Sequence, residues 1–166
     1  MTSGDFKFQI GRPDAPLSRF VSGVWHARGR IPHDRERILP SAEAVLLLVL
    51  GAPLRMTEPR EGGATHEVRG AWITGPHERP ILNEPLAETH VVGAVFTAGG
   101  VAAFLEGSVA EIANRILPLA QVHSSLGSGR RLLAALNPCP FAASARGSGR
   151  AQADPLVERG GGRRLF

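Results

Sequence analysis

One stretch of the chain decides the fold, VVGAVFTAGGVAAFLEGSVAEI at Val91–Ile112. Its first part is an apolar run that ends at Gly99–Gly100, and helical spacing begins directly afterwards with Val101, Phe104 and Leu105. Glycine accepts positive φ angles and the close approach of another backbone, which a strand needs where it leaves a sheet sharply. The pair therefore predicts a structural hinge, at which a buried strand ends and helices begin.

The same glycines do not match the phosphate-binding motifs. A P-loop has the spacing G-x-x-x-x-G-K-[ST], whereas Val101 follows Gly100 here at the position of the lysine. A dinucleotide fingerprint needs G-x-G-x-x-G inside a βαβ unit, and neither the spacing nor the context fits. We therefore expect no nucleotide cofactor at this position.

Segments with strand character lie before this stretch. FKFQI (6–10), VRGAWITG (68–75) and ILNEP (81–85) predict strands, the last of them at a sheet edge. The continuous apolar run AVLLLVLGAP (44–53) predicts a strand buried on both faces, with LRMTE (54–58) as its hairpin partner.

Helical patterns occur at both ends of these strands. Leu17, Phe20, Val21, Val24 and Trp25 have the spacing of a short amphipathic helix, with a strand at Val24–Ala27 left open as the continuation of its end. Later, Ser108 with Glu111 forms a capping-box pattern that predicts a helix up to Pro118, and GSGRRLLAALNP (127–138) predicts another. Strands followed by helices indicate an α+β fold, here a small antiparallel β-barrel or sandwich followed by two or three short helices.

The last part of the chain differs in composition. Residues 139–166 are rich in glycine, alanine, serine and arginine, which predicts a disordered tail after one domain at 1–138. From residue 146 onward there are five arginines against Asp154 and Glu158, so the tail carries most of the net charge of +4. The body of the domain is close to neutral and gives no indication of a nucleic-acid surface.

Residue types that catalyse reactions or hold metals are scattered. No two of the six histidines lie within five residues of each other, and Cys139 is the single cysteine. There is no H-E-x-x-H, C-x-x-C or G-x-S-x-G motif. We therefore expect no enzyme activity, no catalytic residue and no metal or other cofactor, although a metal site assembled from distant strands stays open.

No segment is long enough to cross a membrane. The longest apolar run, Val45–Leu50, is far shorter than a bilayer requires. Met1–Gly11 lacks the apolar region of a secretory signal peptide, and a single cysteine gives no internal disulfide. We expect a cytoplasmic protein without membrane contact.

Four segments in order resemble the N-terminal, cupin-like sensor domain of a bacterial subgroup of AraC/XylS-type transcription regulators. LSRFVSGVWHARG resembles its L-x-x-x-V-x-x-x-W opening, and RILPSAEAVLLLVLGAPLR resembles its ILPDG-x-x-x-L-x-x-x-LG-x-P segment. WITGPHERPILNEP is similar to its G-x-x-x-x-P strand pair, and VGAVFTAGGVAAFLEGSVAEIANRILPLAQV to its G-x-x-F-x-P-G-G helix entry. The likeness covers Leu17–Leu136, and it departs from the family at Ser41–Ala42, Val95 and Ala98.

The resemblance implies a cupin-like β-barrel that senses an effector or dimerises. Such domains control helix-turn-helix units that read DNA. No residues after Pro138 match such units, so the resemblance implies DNA contact only through a region absent from this chain.

The expected partners are therefore a small-molecule effector and a second copy of the chain. The large aromatic residues Trp25 and Trp72 suit either core packing or the lining of a pocket, and the two roles are compatible in a hollow barrel. With His77 and Glu43 they form the candidate effector pocket. Two alternatives stay open: a small metal-dependent cupin-type enzyme and a non-functional truncated remnant.

Overall fold

The structure is a computed structural model that describes residues 6–122. Antiparallel strand pairing organises this part of the chain. The strands are β1 (Lys7–Gly11), β2 (Val21–Gly29), β3 (Glu36–Ile38), β4 (Val45–Thr57), β5 (Thr65–Thr74), β6 (Ile81–Pro85), β7 (Thr89–Phe96) and β8 (Ile116–Pro118). The helical segments are 3-10 turns at Leu17–Arg19 and Gly100–Phe104 and the one-turn helices α1 (Val109–Ile112) and α2 (Leu119–Val122). The predicted antiparallel, β-rich architecture with a few short helices is confirmed.

Strand β4 joins two half-sheets because it changes partner along its length. Its residues 45–49 pair with β7, its residues 54–57 pair with β6, and β5 accompanies it on the other edge. The large half-sheet has the order β1-β2-β7-β4-β5-β8, and the small one adds β6 and β3 to β4. The register shifts between Val49 and Leu54, where Gly51 and Pro53 lie, and such irregularities tolerate a residue without an N–H.

The first half of β4 is buried on both faces, as the sequence predicted. Leu46 packs with Phe96 and Ile112 on the outer face of the large half-sheet, which the Gly100–Phe104 turn and α1 cover. Leu47 packs on the opposite face in a cluster that includes Met56 and Ile81 of the small half-sheet. Because both half-sheets contribute to this second cluster, they fold over each other there, and we call this side the inner face.

The strands that the structure describes do not form a continuous ring. Within residues 6–122, β1, β3 and β8 each pair with one other strand, so the sheet keeps open edges. The ILNEP segment, predicted at an edge, instead lies between β3 and β4. LRMTE, predicted as a hairpin partner, continues β4, since the register shift lets the strand pass Pro53.

Two predicted helices are wrong over most of their length. The Leu17–Trp25 pattern forms one 3-10 turn and then β2, because β2 is paired on both edges and its β-branched valines suit a strand. The capping box at Ser108 and Glu111 is present, but α1 ends at Ile112. Residues 116–118 then pair with β5 as β8, so long-range pairing overrides the local helical spacing.

The glycine pair lies where β7 gives way to the 3-10 turn. Gly99 has a φ of 77°, in the left-handed region that favours glycine. A β-carbon at Gly100 would lie 2.3 Å from the carbonyl oxygen of Phe20 and from Oγ1 of Thr97. The chain therefore passes too close to its neighbours for any other residue at position 100.

Several predictions fall outside the described residues: the helix at 127–138, the boundary at residue 138, the tail at 139–166 and Cys139. Among residues 6–122, no helix combines the length and the apolar composition needed to cross a bilayer.

Candidate functional site

A row of residues crosses the inner face of the large half-sheet from Trp25 to Trp72. Trp25 on β2 lies opposite Gly93 on β7, which lies opposite Leu47 on β4, which lies opposite Trp72 on β5. Partners in register project to the same side of a sheet, so both indoles stand on one face. Both are half-buried, whereas Leu47 between them is buried. Both tryptophans therefore pack against the apolar cluster of the inner face and keep part of their surface exposed.

Gly93 makes room for Trp25. An ideal β-carbon built on Gly93 would lie 2.1 Å from Cε2 and 2.2 Å from Cζ2 of the indole. The ring of Phe8 on β1 stacks on Trp25, with 5.9 Å between centroids and 29° between planes. Trp25 is therefore held between the β7 backbone and an aromatic ring of the edge strand.

Trp72 is fixed by its own strand. Its Nε1–H donates to the carbonyl oxygen of Arg69 at 2.8 Å, and the ring of His66 lies 5.5 Å away between centroids. The indole N–H is thus already satisfied, and the ring offers its apolar surface to the inner side.

A second row crosses the small half-sheet and carries polar groups. His66 on β5 lies opposite Met56 on β4, Met56 opposite Asn83 on β6, and Asn83 opposite Glu36 on β3. The amide nitrogen of Asn83 donates to Glu36. Its Oδ1 has no hydrogen-bond partner among residues 6–122, although the residue is only 5% exposed. A buried acceptor without a donor is costly unless something else supplies one, which marks Asn83 as a candidate ligand contact.

Glu58 places a buried carboxylate beside this row. It accepts hydrogen bonds from Nε of Arg60 at 2.8 Å and from the backbone N–H groups of Ile116 at 3.3 Å and Ala64 at 3.4 Å. Nε2 of His66 lies 3.4 Å from its Oε1. Burial by itself raises the pKa of Glu58, but these donors together hold the pKa below its ordinary value of 4.5. The carboxylate is therefore an anion at neutral pH. The buried Nε2 of His66 beside it has no hydrogen-bond partner within the described residues.

The structure separates the four residues of the predicted pocket into two places. Trp25 and Trp72 share the inner face, whereas His77 and Glu43 lie where the chain enters β4. The ring nitrogens of His77 face the carbonyl oxygens of Gly75 at 3.2 Å and Leu39 at 3.0 Å. The N–H of Glu43 donates to Oγ of Ser41, and Ser41 forms a bridge with His77. These two residues join loops at one end of the sheet.

Three inner-face residues were not in the predicted pocket: His66, Asn83 and Glu58. His66 shares the even-numbered positions of Val68 and Trp72 on one strand, and this period-2 spacing indicates a common face. Asn83 and Glu58 come beside His66 only through the pairing of β4 with β5 and β6. The spacing of residues along the chain does not indicate this strand pairing.

A histidine pair lies on the outer face, away from this site. The rings of His26 on β2 and His90 on β7 are 5.2 Å apart between centroids, and neither buried Nε2 has a hydrogen-bond partner within the described range. Burial, the neighbouring His90 and Arg28 lower the pKa of His26. Burial and Arg28 lower that of His90, against a smaller opposite effect of Glu88. Among residues 6–122, no group of three or more histidine, cysteine, aspartate or glutamate residues is arranged to hold a metal ion.

Solved structures resemble this chain only distantly. Vicilin from hazelnut, Corylus avellana, is 15% identical over 58% of this chain and 28% of its own length, with a TM-score of 0.41. A cupin domain from Bordetella pertussis is 17% identical over 59% of this chain and 99% of its own, with a TM-score of 0.37. A mutant oxalate decarboxylase from Bacillus subtilis is 14% identical over 69% of this chain and 40% of its own, with a TM-score of 0.41.

Identities and TM-scores this low support no inference about activity. This chain also spans less than half of the vicilin and oxalate decarboxylase chains. A comparison with curated proteins gave no match. A family model does match, over residues 9–118, which cover β2 to β8 and nearly all of the inner face. The chain belongs to that family, described as a domain of unknown function (DUF6597).

Proposed function

We propose that this chain is the effector-sensing domain of an AraC-type transcription regulator of the cytoplasm, with a cupin-like fold that binds a small molecule on its inner face. One observation carries the proposal: two partly buried indoles, Trp25 and Trp72, stand on the same face against a packed apolar cluster. Binding sites for small molecules combine such aromatic surfaces with a few placed polar groups.

One polar group defines the class of ligand. Oδ1 of Asn83 is a buried acceptor without a donor within residues 6–122, whereas the Glu58 carboxylate is already paired with Arg60. The free acceptor favours a hydrogen-bond donor, and the indoles favour a ring that stacks on them. We therefore expect a small cyclic molecule that carries a hydroxyl or amino group.

A panel of phenols, anilines and cyclohexanols tests binding. The melting temperature and the tryptophan fluorescence of the protein are measured with each compound. A ligand that binds only the folded state stabilises it by about 2.7 kcal/mol at a hundredfold excess over its dissociation constant. We expect hydroxyl- or amino-bearing rings to stabilise the protein, and both Trp72→Phe and Asn83→Leu to weaken that effect. Leu86→Ala, at an exposed position on the loop after β6, is the matched control. Stabilisation of equal size in wild type, Trp72→Phe and Asn83→Leu would place the ligand elsewhere.

The regulatory part of the proposal rests on the four ordered segments that resemble AraC-type sensor domains. In this interpretation the ligand controls a helix-turn-helix region outside this sequence, so the chain alone should not select a DNA sequence. The test is a gel shift with specific and random duplexes at increasing salt, since non-specific contacts weaken steeply with salt. DNA binding that survives moderate salt and prefers one duplex would contradict the regulatory part of the proposal. It would not contradict the proposed ligand site.

One contact favours a second candidate function, a metal-dependent cupin-type enzyme. Nε2 of His66 lies 3.4 Å from the buried Glu58 carboxylate, and such pairs orient imidazoles in metal and catalytic sites. The discriminating measurement is the transition-metal content of the purified protein. A stoichiometric metal that is lost in His66→Gln would favour the enzyme, whereas a metal-free protein that binds the ring compounds favours the sensor.

A further inference from the structure

Two histidines on the outer face of the large half-sheet lie outside the proposed ligand site. His26 on β2 lies opposite Val92 on β7, and His90 lies opposite Arg28, so the histidines are diagonal neighbours on adjacent strands. Diagonal neighbours on one face are within reach of long or aromatic side chains. The two rings are 5.2 Å apart between centroids, with 59° between their planes. Val92 packs against the outer-face cluster, which places the pair on the side of the sheet opposite Trp25.

Each ring has a buried nitrogen without a partner. Nε2 of His26 and Nε2 of His90 are both buried, and neither has a hydrogen-bond partner among the residues that the structure describes. His26 as a whole is only 9% exposed. A buried polar atom without a partner is costly, and a bound ion is one way in which such an atom is satisfied. Because the two nitrogens belong to neighbouring rings, a single ion would satisfy both.

We propose that His26 and His90 bind one divalent late transition metal ion, Cu²⁺, Ni²⁺ or Zn²⁺, through their Nε2 atoms. Imidazole is a suitable ligand for these three ions, and Cu²⁺ binds most tightly of them to a given set of nitrogen ligands. The two histidines come from strands that are far apart in the sequence, so no local motif indicates the site. The proposal is independent of the ligand site on the inner face.

The separation of the rings fits one shared ion. A metal ion lies about 2.0–2.1 Å from a coordinating ring nitrogen, and so about 3.2 Å from the centroid of that ring. Two rings on a tetrahedral ion therefore have centroids about 5.2 Å apart, whereas two rings on opposite sides of an ion have centroids about 6.4 Å apart. The observed separation of 5.2 Å matches the tetrahedral arrangement.

The charges around the pair act in opposite directions. Burial lowers the pKa of both histidines, and the Arg28 guanidinium lowers both further. The rings are therefore neutral at pH 7, which is the state in which histidine coordinates a metal. Arg28 and its cross-strand partner Lys7 oppose the binding of a cation, but both are exposed to solvent. The exposed Glu88 carboxylate offsets part of the effect of Arg28 at His90 and favours a cation there.

Two protein ligands leave part of the coordination shell to water or to Glu88. Structural zinc sites are closed by four protein ligands. We therefore expect this site to exchange its ion with the solution and to release it to a chelator. A bound ion joins β2 to β7 and stabilises the folded state, because the unfolded chain does not hold the two rings together.

Calorimetric titration with Cu²⁺, Ni²⁺ or Zn²⁺ alone tests the site in a Cys139→Ser background, which removes the thiol as a competing ligand. We expect one ion per chain and a rise of the melting temperature that EDTA reverses. His26→Gln and His90→Gln should each weaken binding by more than about tenfold, since changes around a metal ligand already have effects of that size. His33→Gln, at an exposed position, is the matched control and should bind like the wild type.

A charge variant extends the test to the case in which the buried His26→Gln does not fold. Arg28→Gln removes an exposed positive charge beside both rings and should tighten metal binding severalfold. A wild type that binds no metal would overturn the proposal, and so would equal affinities in the wild type, His90→Gln and Arg28→Gln. Metal binding that is lost in His66→Gln and retained in His90→Gln would also overturn it, and would place the ion on the inner face.

Discussion

The indole of Trp25 occupies the space that a side chain at position 93 would need, since a β-carbon on Gly93 would lie 2.1 Å from its Cε2. The two residues are direct partners across β2 and β7. Glycine is disfavoured in a strand interior, but at position 93 it leaves the space in which a large ring lies against the backbone. The geometry of the candidate site depends on this contact.

Gly93→Ala should displace Trp25. Overpacking of this kind typically destabilises a protein by about 1–3 kcal/mol, and the fluorescence of Trp25 should shift because its ring moves. Urea unfolding and emission spectra of a Trp72→Phe protein, in which Trp25 is the remaining tryptophan, measure both effects. Gly23→Ala is the control, because a β-carbon there meets its nearest atom at 3.8 Å. Equal stability of the two variants would show that Trp25 is not held against Gly93.

The sequence allowed some of this architecture to be predicted and not the rest, for identifiable physical reasons. The β4 strand and the capping box at Ser108 were predictable because an apolar run and a cap are local properties of the chain. The helix predicted at Leu17–Trp25 was wrong because β2 gains partners on β7, far along the chain. Periodicity contains no information about such partners.

The same limit applies to the candidate site. Trp25 and Trp72 could be named from size alone, but their common face follows from a register across four strands. Asn83 and Glu58 gain their role from burial and from partners on other strands, which no spacing in the sequence indicates.

Glu58→Gln should destabilise the protein at neutral pH. The carboxylate accepts three hydrogen bonds while only 4% exposed, and hydrogen bonds to a buried charged group contribute about 1.5–3 kcal/mol. Because its folded pKa is lowered, this stabilisation is present above the ordinary value of 4.5 and is lost as the pH falls through the folded pKa. Urea unfolding from neutral pH downward should show a steeper acid loss in the wild type than in Glu58→Gln. The exposed Glu67→Gln should follow the wild type.

Protonation of His26 and His90 should destabilise the protein in mild acid. The pKa of each is lowered in the fold, so the unfolded chain binds protons first as the pH drops below the ordinary value of 6.5. The melting temperature should therefore fall between about pH 7.5 and pH 5. The double variant His26→Gln, His90→Gln should flatten that decline, and His33→Gln, at an exposed position, should not. A decline of unchanged slope in the double variant would assign the effect to other groups.

His77→Ala separates a structural histidine from a ligand-binding one. The ring of His77 faces the carbonyl oxygens of Gly75 and Leu39 and is buried, so its loss leaves at least one of these acceptors without its donor. We expect a loss of about 1–3 kcal/mol in urea unfolding, against less than about 0.5 kcal/mol for the exposed His33→Ala. The affinity for the ring compounds, measured well below the melting temperature, should stay unchanged in His77→Ala and fall in Trp72→Phe. The reverse result, an unchanged stability with lost binding, would return His77 to the pocket and move the site from the inner face to the end of the sheet where β4 begins.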